Sequence, residues 1–375
     1  MDSLTQAALG AAVGVAVLGR RAGPKAALWG AACGTLPDLD VLVPYADPVA
    51  DFTFHRAESH AFFYLTLASP LIAWLIAKIH RDSANLGRWT LLVWLALVTH
   101  ALLDAFTVYG TQLLLPFSDY PVGLGSVFII DPLYTVPLLI GVSVALALGR
   151  TRPDVARRSN TVGLALSSLY LAWSVGAQSH VEGLLHRSLA ASSLEDGRVL
   201  VTPTPFNTLL WRVVVMDDDG YHEGFHSLLD GQGDIALTRH ASQAGLLSSL
   251  RDEWNVQRLA WFSKGFYGVS VAPPDANVAI GAASTLGQLL GAVPMASAAG
   301  PEGGDTRPRV VMSDLRMGQT PFFVFSFIVG AADGSTVSAL PTLQLPTSRP
   351  PVGEALGWVW RRIWDEAAGP PPASR

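Results

Sequence analysis

The sequence predicts an α-helical multi-span membrane bundle of five or six segments, followed by a mostly-β soluble domain. Of the 375 residues, 50% are hydrophobic and only 15% are charged, and the mean hydropathy is +0.35. That composition is too apolar for an ordinary soluble enzyme and indicates a membrane protein with an attached polar domain. The net charge of −5 offers no basic surface for nucleic acid. The single cysteine, Cys33, excludes intrachain disulfides and cysteine-rich zinc sites.

Apolar runs place the membrane segments within residues 1–180, which we assign to a helical membrane domain. The runs cover residues 3–18, 26–36, 61–79, 89–108, 133–148 and 161–177. A helix needs about 20 residues to cross a bilayer, so the run at 26–36 is either re-entrant or a short span. The predicted number of segments is therefore five or six.

Basic residues mark one side of this bundle. They follow the first, third and fifth segments, as Arg20, Arg21, Lys25, Lys78, Arg81, Arg88, Arg150, Arg152, Arg157 and Arg158. By the positive-inside rule these connections face the cytoplasm, provided that the second segment crosses. The sequence then predicts a multi-pass protein of the inner (cytoplasmic) membrane, with the other connections and the C-terminal domain on the extracytoplasmic side.

Beyond residue 180 the pattern changes to short β-like runs separated by turn signals. Such runs occur at 199–201, 211–216, 310–312 and 321–329, and turns are indicated at 217–220 and 230–233. We assign 181–350 to a mostly-β extracytoplasmic domain. Residues 351–375 are predicted to form an amphipathic helix and a disordered tail. The helix lies either in the membrane interface or against the β domain.

Two polar residues interrupt the fourth apolar run. His100 and Asp104 are four positions apart and therefore share a helical face. Ionisable side chains inside a membrane segment are costly and by default mark a functional site. The alternative is a hydrogen-bonded pair that only holds two helices together.

Further candidate ligands lie in the connections on the same side as His100 and Asp104. Nitrogen and oxygen donors without thiolate suit zinc, and manganese and iron fit the same set. A metal in such a site activates water near neutral pH. We assign Glu58 as the general acid or base. The predicted ligands are Asp38, Asp40, His55, His60, His100 and Asp104. For Asp38 and Asp40, which follow Pro37, a solvated turn is the alternative.

Four more residues are predicted to support the site or contact the substrate. Arg56 balances a carboxylate or binds an anionic substrate. Tyr109 and Thr111 end the fourth segment on the side of His100. Asp131 precedes Pro132, so it caps the fifth segment or orients a metal-binding histidine.

The literal H-E-x-x-H at His222–His226 predicts no protease. That mechanism requires the motif on a helix, where both imidazoles share one face. Here a turn at 217–220 precedes the motif, Gly224 weakens a helix, and aromatic and acidic residues alternate as in a strand.

Several motifs together resemble the YdjM-like family of predicted membrane-bound metal-dependent hydrolases. In the membrane domain they are residues 1–6 (MDSLTQ), 37–40 (PDLD), 55–56 (HR), 59–60 (SH), 100–104 (HALLD), 109–111 (YGT) and 129–132 (IIDP). In the C-terminal region they are 203–207 (PTPFN), 211–212 (WR) and 314–316 (DLR). Many members carry His after Thr5, where this chain has Gln6.

The resemblance implies a distant similarity to zinc-dependent phospholipases C, which bind zinc through His and Asp. It therefore implies hydrolysis of a phosphoester, with a membrane lipid or lipid-linked compound as the partner. The alternative from a different class is a non-enzymatic membrane protein, either an ion or proton transporter or a scaffold for the β domain. Transport usually calls for a site at the midplane, whereas the polar residues here lie toward one face.

Overall fold

Seven α-helices form most of the first 190 residues. They are α1 (Ser3–Ala22), α2 (Pro24–Thr35), α3 (Pro48–Phe54), α4 (Phe62–Ile79), α5 (Leu86–Ala105), α6 (Pro132–Leu148) and α7 (Pro153–Leu189). Two short 3-10 helices, Pro37–Leu42 and Glu58–His60, lie between them. The structure is a computed structural model and describes residues 1–45, 47–190, 192–231, 233–274, 306–334, 336–346 and 350–369.

The chain divides into two compact units. The first contains Met1–Asp40, Arg56–Ser179 and Thr202–Leu209. The second contains Val41–His55, His180–Val201 and Leu210–Arg375. The segment 41–55, which includes α3, thus belongs to the second unit, although the residues before and after it belong to the helical unit.

Within the described residues, three helices are long and apolar enough to cross a membrane: α1, α4 and α5. The predicted run at 26–36 forms α2, whose 12 residues are too few to span. The fifth predicted segment forms α6, with 17 residues, and the sixth lies inside the 37-residue α7. The structure therefore supports a membrane protein with three candidate spans and does not confirm five or six.

Glycine allows α1 and α2 to pack with their backbones in contact. A Cβ atom on Gly10 would lie 2.1 Å from the carbonyl oxygen of Gly30, and one on Gly14 equally close to that of Ala26. A Cβ atom on Gly34 would lie 2.6 Å from the carbonyl oxygen of Gln6. Small residues permit this approach, as in other membrane-helix pairs. It fixes the C-terminal end of α2 against the first turns of α1.

The second unit contains most of the β-structure. Its elements are β1 (Val199–Pro203), β2 (Leu210–Asp217), β3 (Gly220–Ser227), β4 (Leu237–Ala241), α8 (Trp254–Phe262), β5 (Tyr267–Ala272), β6 (Arg309–Asp314), β7 (Gly318–Gln319), β8 (Phe322–Phe323), β9 (Ser326–Asp333), β10 (Thr336–Gln344) and α9 (Val352–Trp364). One four-stranded sheet has the order β1-β2-β3-β4, another has β10-β9-β6-β5, and β7 pairs with β8. The mostly-β prediction is confirmed, and the run at 321–329 is divided between β8 and β9.

Two helices pack within this unit by aromatic and charged side chains. Phe52 of α3 contacts the rings of Phe262 and Phe327, with centroid distances of 4.9 and 5.5 Å. Trp358 of α9 contacts Phe225 at 4.9 Å, and Arg362 donates to the carboxylate of Asp230. Of the two predicted placements, the second is therefore observed, because α9 packs on a β-strand. The predicted disordered tail lies, from residue 370 on, outside the described residues.

Candidate metal centre

Four side chains of the helical unit converge on one point. One ligand atom each from Asp38, His60, His100 and Asp104 lies within 4.8 Å of the others. Asp38 belongs to the 3-10 helix after α2, His60 ends the 3-10 helix before α4, and the other two lie near the end of α5. His60, His100 and Asp104 are fully buried, whereas Asp38 is partly exposed. We call these four residues the ligand cluster.

Five of the six distances within the ligand cluster match those expected between the ligands of a small metal ion. His60 Nε2 lies 3.0 Å from His100 Nε2 and 3.2 Å from Asp104 Oδ2. His100 Nε2 lies 3.5 Å from Asp38 Oδ1 and 3.6 Å from Asp104 Oδ2, and His60 Nε2 lies 3.7 Å from Asp38 Oδ1. Tetrahedral zinc with bonds of about 2.0–2.1 Å separates its ligands by about 3.3–3.4 Å. A small divalent ion therefore fits between these four atoms.

The hydrogen bonds of the two Nδ1 atoms place the Nε2 lone pair of each neutral imidazole toward the centre of the cluster. His100 Nδ1 lies 2.6 Å from the Gly34 carbonyl oxygen, which only accepts. Ser59 Oγ donates to Asp40 Oδ2 at 2.6 Å, so at 2.8 Å it accepts from His60 Nδ1. In both neutral imidazoles the proton is therefore on Nδ1. Two lone pairs then face each other at 3.0 Å, an arrangement that a shared cation stabilises.

Asp104 adds a buried oxygen atom to this arrangement. Its Oδ2 atom accepts no hydrogen bond from the described residues, although Arg56 Nε lies 3.2 Å away. Its Oδ1 atom accepts from Gln6 Nε2 at 3.0 Å and from the Met1 amino group. Buried carboxylate oxygens normally have a hydrogen-bond partner or a metal ion. The chemistry of this donor set therefore fits a divalent cation.

Charge in the cluster also favours a cation. Burial alone would raise the pKa of the Asp38 carboxyl, but the neighbouring imidazoles of His100 and His60 outweigh it and hold that pKa well below its usual range. Burial would lower the pKa of the His60 imidazole, but Asp104 and Asp38 outweigh that effect and raise it. Both directions arise from attraction between the carboxylates and the imidazoles, so the cluster stabilises positive charge at this point.

Arg56 lies beside the cluster in an uncommon backbone conformation. Its φ angle is +66°, which is costly for a residue with a side chain. Its N–H donates to Asp40 Oδ2 at 3.0 Å, and its carbonyl oxygen accepts from Gln112 N–H at 3.0 Å. Its guanidinium lies over the ring of Tyr109, 5.0 Å from the centroid, and donates to Thr107 Oγ1. These bonds hold one positive charge next to Asp104.

Not every predicted site residue belongs to the cluster. Asp40 acts on His60 through Ser59, and His55 is the C-cap of α3 in the second unit. Glu58 is exposed at the start of the 3-10 helix that ends with His60. Thr111 is buried, with no hydrogen-bond partner for Oγ1 in the described residues.

Asp131 takes the first of its two predicted roles. It is the N-cap of α6, where Oδ1 accepts from Leu133 N–H at 3.0 Å. Its Oδ2 atom accepts from the Tyr170 hydroxyl at 2.7 Å. Both carboxylate oxygens of Asp131 therefore hold helices of the first unit.

Two supporting groups escaped sequence reasoning. Ser59 was passed over, although a hydroxyl next to a candidate histidine ligand is a usable signal. The carbonyl of Gly34 fixes the tautomer of His100, and a backbone carbonyl leaves no residue-type signal. At position 6, where many members of the resembling family carry His, the amide nitrogen of Gln6 donates to Asp104 and to the His100 carbonyl oxygen.

The H-E-x-x-H residues lie on a strand, as predicted. They belong to β3, where Glu223 forms an ion pair with Arg212. On a strand the two histidines are about 13 Å apart along the chain, which is too far to share one ion. The protease interpretation is therefore excluded by the local structure.

Comparisons with known proteins find similarity to a described family in the helical part of the chain. Residues 1–181 match the family model described as "YdjM inner membrane protein". The "Uncharacterized protein YfhP" of Bacillus subtilis (strain 168) is 27% identical over 234 residues, which make up 60% of this chain and 68% of that protein. No solved structure matches. The expected similarity to phospholipases C stays a prediction. The similarity to the YdjM inner membrane protein family thus covers residues 1–181, just under half of the chain.

Proposed function

We propose that this protein is a membrane-bound, metal-dependent hydrolase of phosphoesters, with zinc as its metal. The observation that carries the proposal is the convergence of Asp38, His60, His100 and Asp104, whose ligand atoms lie within 4.8 Å of one another. One of these atoms, the buried Oδ2 of Asp104, has no hydrogen-bond partner among the described residues. Two imidazole nitrogens and two carboxylate oxygens around a common point are a donor set typical of metal sites.

The ligand cluster and its neighbours divide the work of such a site. Asp38, His60, His100 and Asp104 would hold the ion, and Asp40 and Ser59 would keep His60 in its metal-binding tautomer. A divalent ion bound there supplies a water of lowered pKa and stabilises negative charge that develops on the substrate.

The charge of the loaded site favours an anionic substrate. Two ligand carboxylates balance a divalent ion, and the guanidinium of Arg56 adds positive charge beside them, with Nε 3.2 Å from Asp104 Oδ2. Positive charge beside a metal ion suits a phosphoester better than a neutral ester or a peptide. Asp38 is the most exposed of the four ligands, so we place the entrance for the substrate on its side.

The reaction is the addition of water to phosphorus. The water oxygen bonds to phosphorus, the ester P–O bond breaks, and the departing alkoxide takes a proton to leave as an alcohol. We assign proton transfer to Glu58, which is exposed on the turn that carries His60. Arg20, Arg21 and Lys78 lie in the last turns of α1 and α4, at the ends remote from the ligand cluster, which supports an extracytoplasmic site in the inner membrane.

Hydrolysis by purified protein in lipid nanodiscs tests the proposal. We expect the zinc-loaded protein to cleave phosphatidic acid, phosphatidylglycerol or the soluble diester bis-p-nitrophenyl phosphate. His100→Ala should lower the rate by at least ~100-fold, because it removes a ligand rather than a supporting residue. The matched control is His222→Ala, which removes a histidine of β3 and should leave the rate unchanged.

Two results would overturn the proposal. Equal rates in the wild type and His100→Ala would separate the activity from the ligand cluster. A protein that binds zinc, hydrolyses none of these substrates and conducts ions or protons in sealed vesicles would instead support transport.

A further inference from the structure

An apolar groove runs along the first turns of α4, beginning next to the ligand cluster. It has a volume of about 360 Å³, and its lining consists of apolar side chains apart from Thr66. One wall is formed by α4 residues, among them Phe63 and Leu67, and the other by the loop 113–117, with Leu114 and Phe117. The rings of Phe63 and Phe117 meet edge to face at a centroid distance of 5.6 Å.

Backbone hydrogen bonds attach the loop wall to the helix wall. The N–H of Phe62 donates to the carbonyl oxygen of Leu113 at 3.0 Å. Within the loop, the N–H of Phe117 donates to the carbonyl oxygen of Leu114 at 2.9 Å. One residue earlier, Gln112 N–H is bonded to Arg56. The concave shape is therefore fixed by the backbone and does not depend on side-chain rotamers alone.

We propose that this groove holds one acyl chain of a membrane lipid whose phosphoester headgroup lies at the ligand cluster. This assignment rests on the proposed function, because it names the substrate of that site as a lipid. A peptide or a sugar in the groove would lose hydrogen bonds to water, since the lining offers it only the Thr66 hydroxyl, which already accepts from Trp94 at 3.0 Å. A hydrocarbon chain has no such bonds to lose.

The position of the groove on α4 supports a lipid as its occupant. Helix α4 is one of the candidate membrane spans. At the mouth of the groove, Leu67 and Phe117 are exposed, with exposed fractions of 61% and 80%. Because the surrounding lipid is as apolar as the groove, the preference of a chain for the groove comes from van der Waals contact with its concave walls rather than from hydrophobic transfer. The groove would therefore both retain and orient an acyl chain.

Chain connectivity joins the groove to the cluster. Phe62 is two residues after the ligand His60, so their Cα atoms are at most about 7.6 Å apart. Arg56, beside Asp104, is bonded through Gln112 to the start of the loop wall. An acyl chain in the groove would thus place its headgroup on the side of these residues.

Photolabelling tests the binding step independently of hydrolysis. The probe is phosphatidylglycerol with a diazirine in one acyl chain, incorporated into the nanodiscs that hold the full-length protein. After irradiation, mass spectrometry of peptides should find residues 62–67 and 113–117 labelled several-fold more than 133–140, an exposed apolar face of α6. Equal labelling of all three stretches would show that the groove is ordinary lipid-facing surface and would overturn the proposal.

A matched pair of substitutions sharpens the test. Leu67→Trp fills the groove, whereas Leu71→Trp adds the same bulk one turn away at an equally exposed position, since Leu71 is 62% exposed. Leu67→Trp should reduce labelling of the groove peptides severalfold, and Leu71→Trp should leave it unchanged. No difference between the two variants would contradict the assignment.

Two further measurements separate this proposal from the proposed function. The double variant His100→Ala, Asp104→Ala should lose metal and hydrolysis but keep the groove labelling.

In active protein, Leu67→Trp should slow cleavage of phosphatidylglycerol by about tenfold relative to bis-p-nitrophenyl phosphate, because the headgroup is misplaced while the metal site is intact. Selective labelling without any hydrolysis would refute the enzyme and the substrate assignment, and leave a lipid-binding groove. Equal slowing of both substrates would refute the orienting role of the groove.

Discussion

Two groups of histidine and acidic side chains occur in this protein, one in each compact unit, and they differ in how their atoms are used. In the helical unit the ligand cluster leaves lone pairs of His60, His100 and Asp104 directed at a common point. In the β unit, each side chain of the H-E-x-x-H motif has its own partner. Glu223 pairs with Arg212, His226 Nδ1 lies 3.6 Å from Asp230, and His222 Nε2 lies 3.5 Å from Asp217.

The difference follows from the backbone that carries each group. A helix presents His100 and Asp104 on one face a single turn apart, whereas a strand separates two positions four residues apart by about 13 Å. Convergence also needs partners from other elements, which the two 3-10 helices provide. Residue type alone therefore does not distinguish a metal site from a set of structural ion pairs, but convergence of the ligand atoms on one point does.

Metal content should show the largest contrast between the two groups. His60→Ala with His100→Ala removes both facing Nε2 atoms, so we expect zinc affinity to fall by far more than the ~100-fold that loss of a supporting residue can cause. Elemental analysis by mass spectrometry after equilibration with zinc measures the bound metal. His222→Ala with His226→Ala is the control and should keep the wild-type content. Zinc retained in the first double variant would refute the ligand cluster.

Stability should show the reverse contrast. Glu223→Ala leaves the guanidinium of Arg212, which is 3% exposed, without its carboxylate partner. Removing one member of a buried ion pair costs about 3–5 kcal/mol of unfolding free energy. Denaturant titration followed by tryptophan fluorescence measures it, and zinc content per folded molecule should not change. Asp252→Ala, which breaks the exposed Arg251–Asp252 pair, should cost less than ~1 kcal/mol. Equal costs would contradict this view of β3.

The pH dependence of that stability has a defined sign. Burial would raise the pKa of the Glu223 carboxyl, but the charge and hydrogen bonds of Arg212 outweigh it, so the pKa in the folded state lies below the ordinary value. A depressed pKa contributes stability that is complete above the pKa of the unfolded chain and is lost as the pH falls through the folded value. Glu223→Gln should therefore flatten the acid side of the stability profile.

Sequence reasoning found the parts of the fold whose signal is local. The apolar runs identified α1, α4 and α5, and the β-like runs identified β1, β2, β6, β8 and β9. The predicted count of five or six spans is not confirmed, because an apolar run such as 26–36 has the same composition whether it crosses a membrane or packs its glycines on α1. Length and partner, rather than hydropathy, separate these outcomes.

For the candidate site, the sequence indicates the types of ligand correctly, but not all of the predicted positions converge in the structure. His100 and Asp104 were placed by helical spacing, and Asp38 and His60 by their position in the connections on the same side. His55 was grouped with them because it is near His60 in sequence, although the segment 41–55 leaves the helical unit. This segment belongs to the other unit because Phe52 packs on Phe262 and Phe327. Both partners are distant in sequence, so the residues around His55 do not reveal the contact.

The smallest predicted effect concerns a single hydroxyl group. Ser59 accepts from His60 Nδ1 because its own proton is donated to Asp40, so Ser59→Ala removes the bond that keeps the proton off Nε2. We expect zinc affinity, measured by competition with a chelator, to fall by about 10-fold, at the lower end of the range for supporting residues. Ser69→Ala is the control, because that hydroxyl donates only to the carbonyl of Leu65 in its own helix. Equal affinities in the two variants would mean that the tautomer of His60 is set by the metal itself. In that case the helical group would differ from the β group only in the convergence of its ligand atoms. Hydrogen bonds that fix the histidine tautomer before the metal binds would not contribute to the difference.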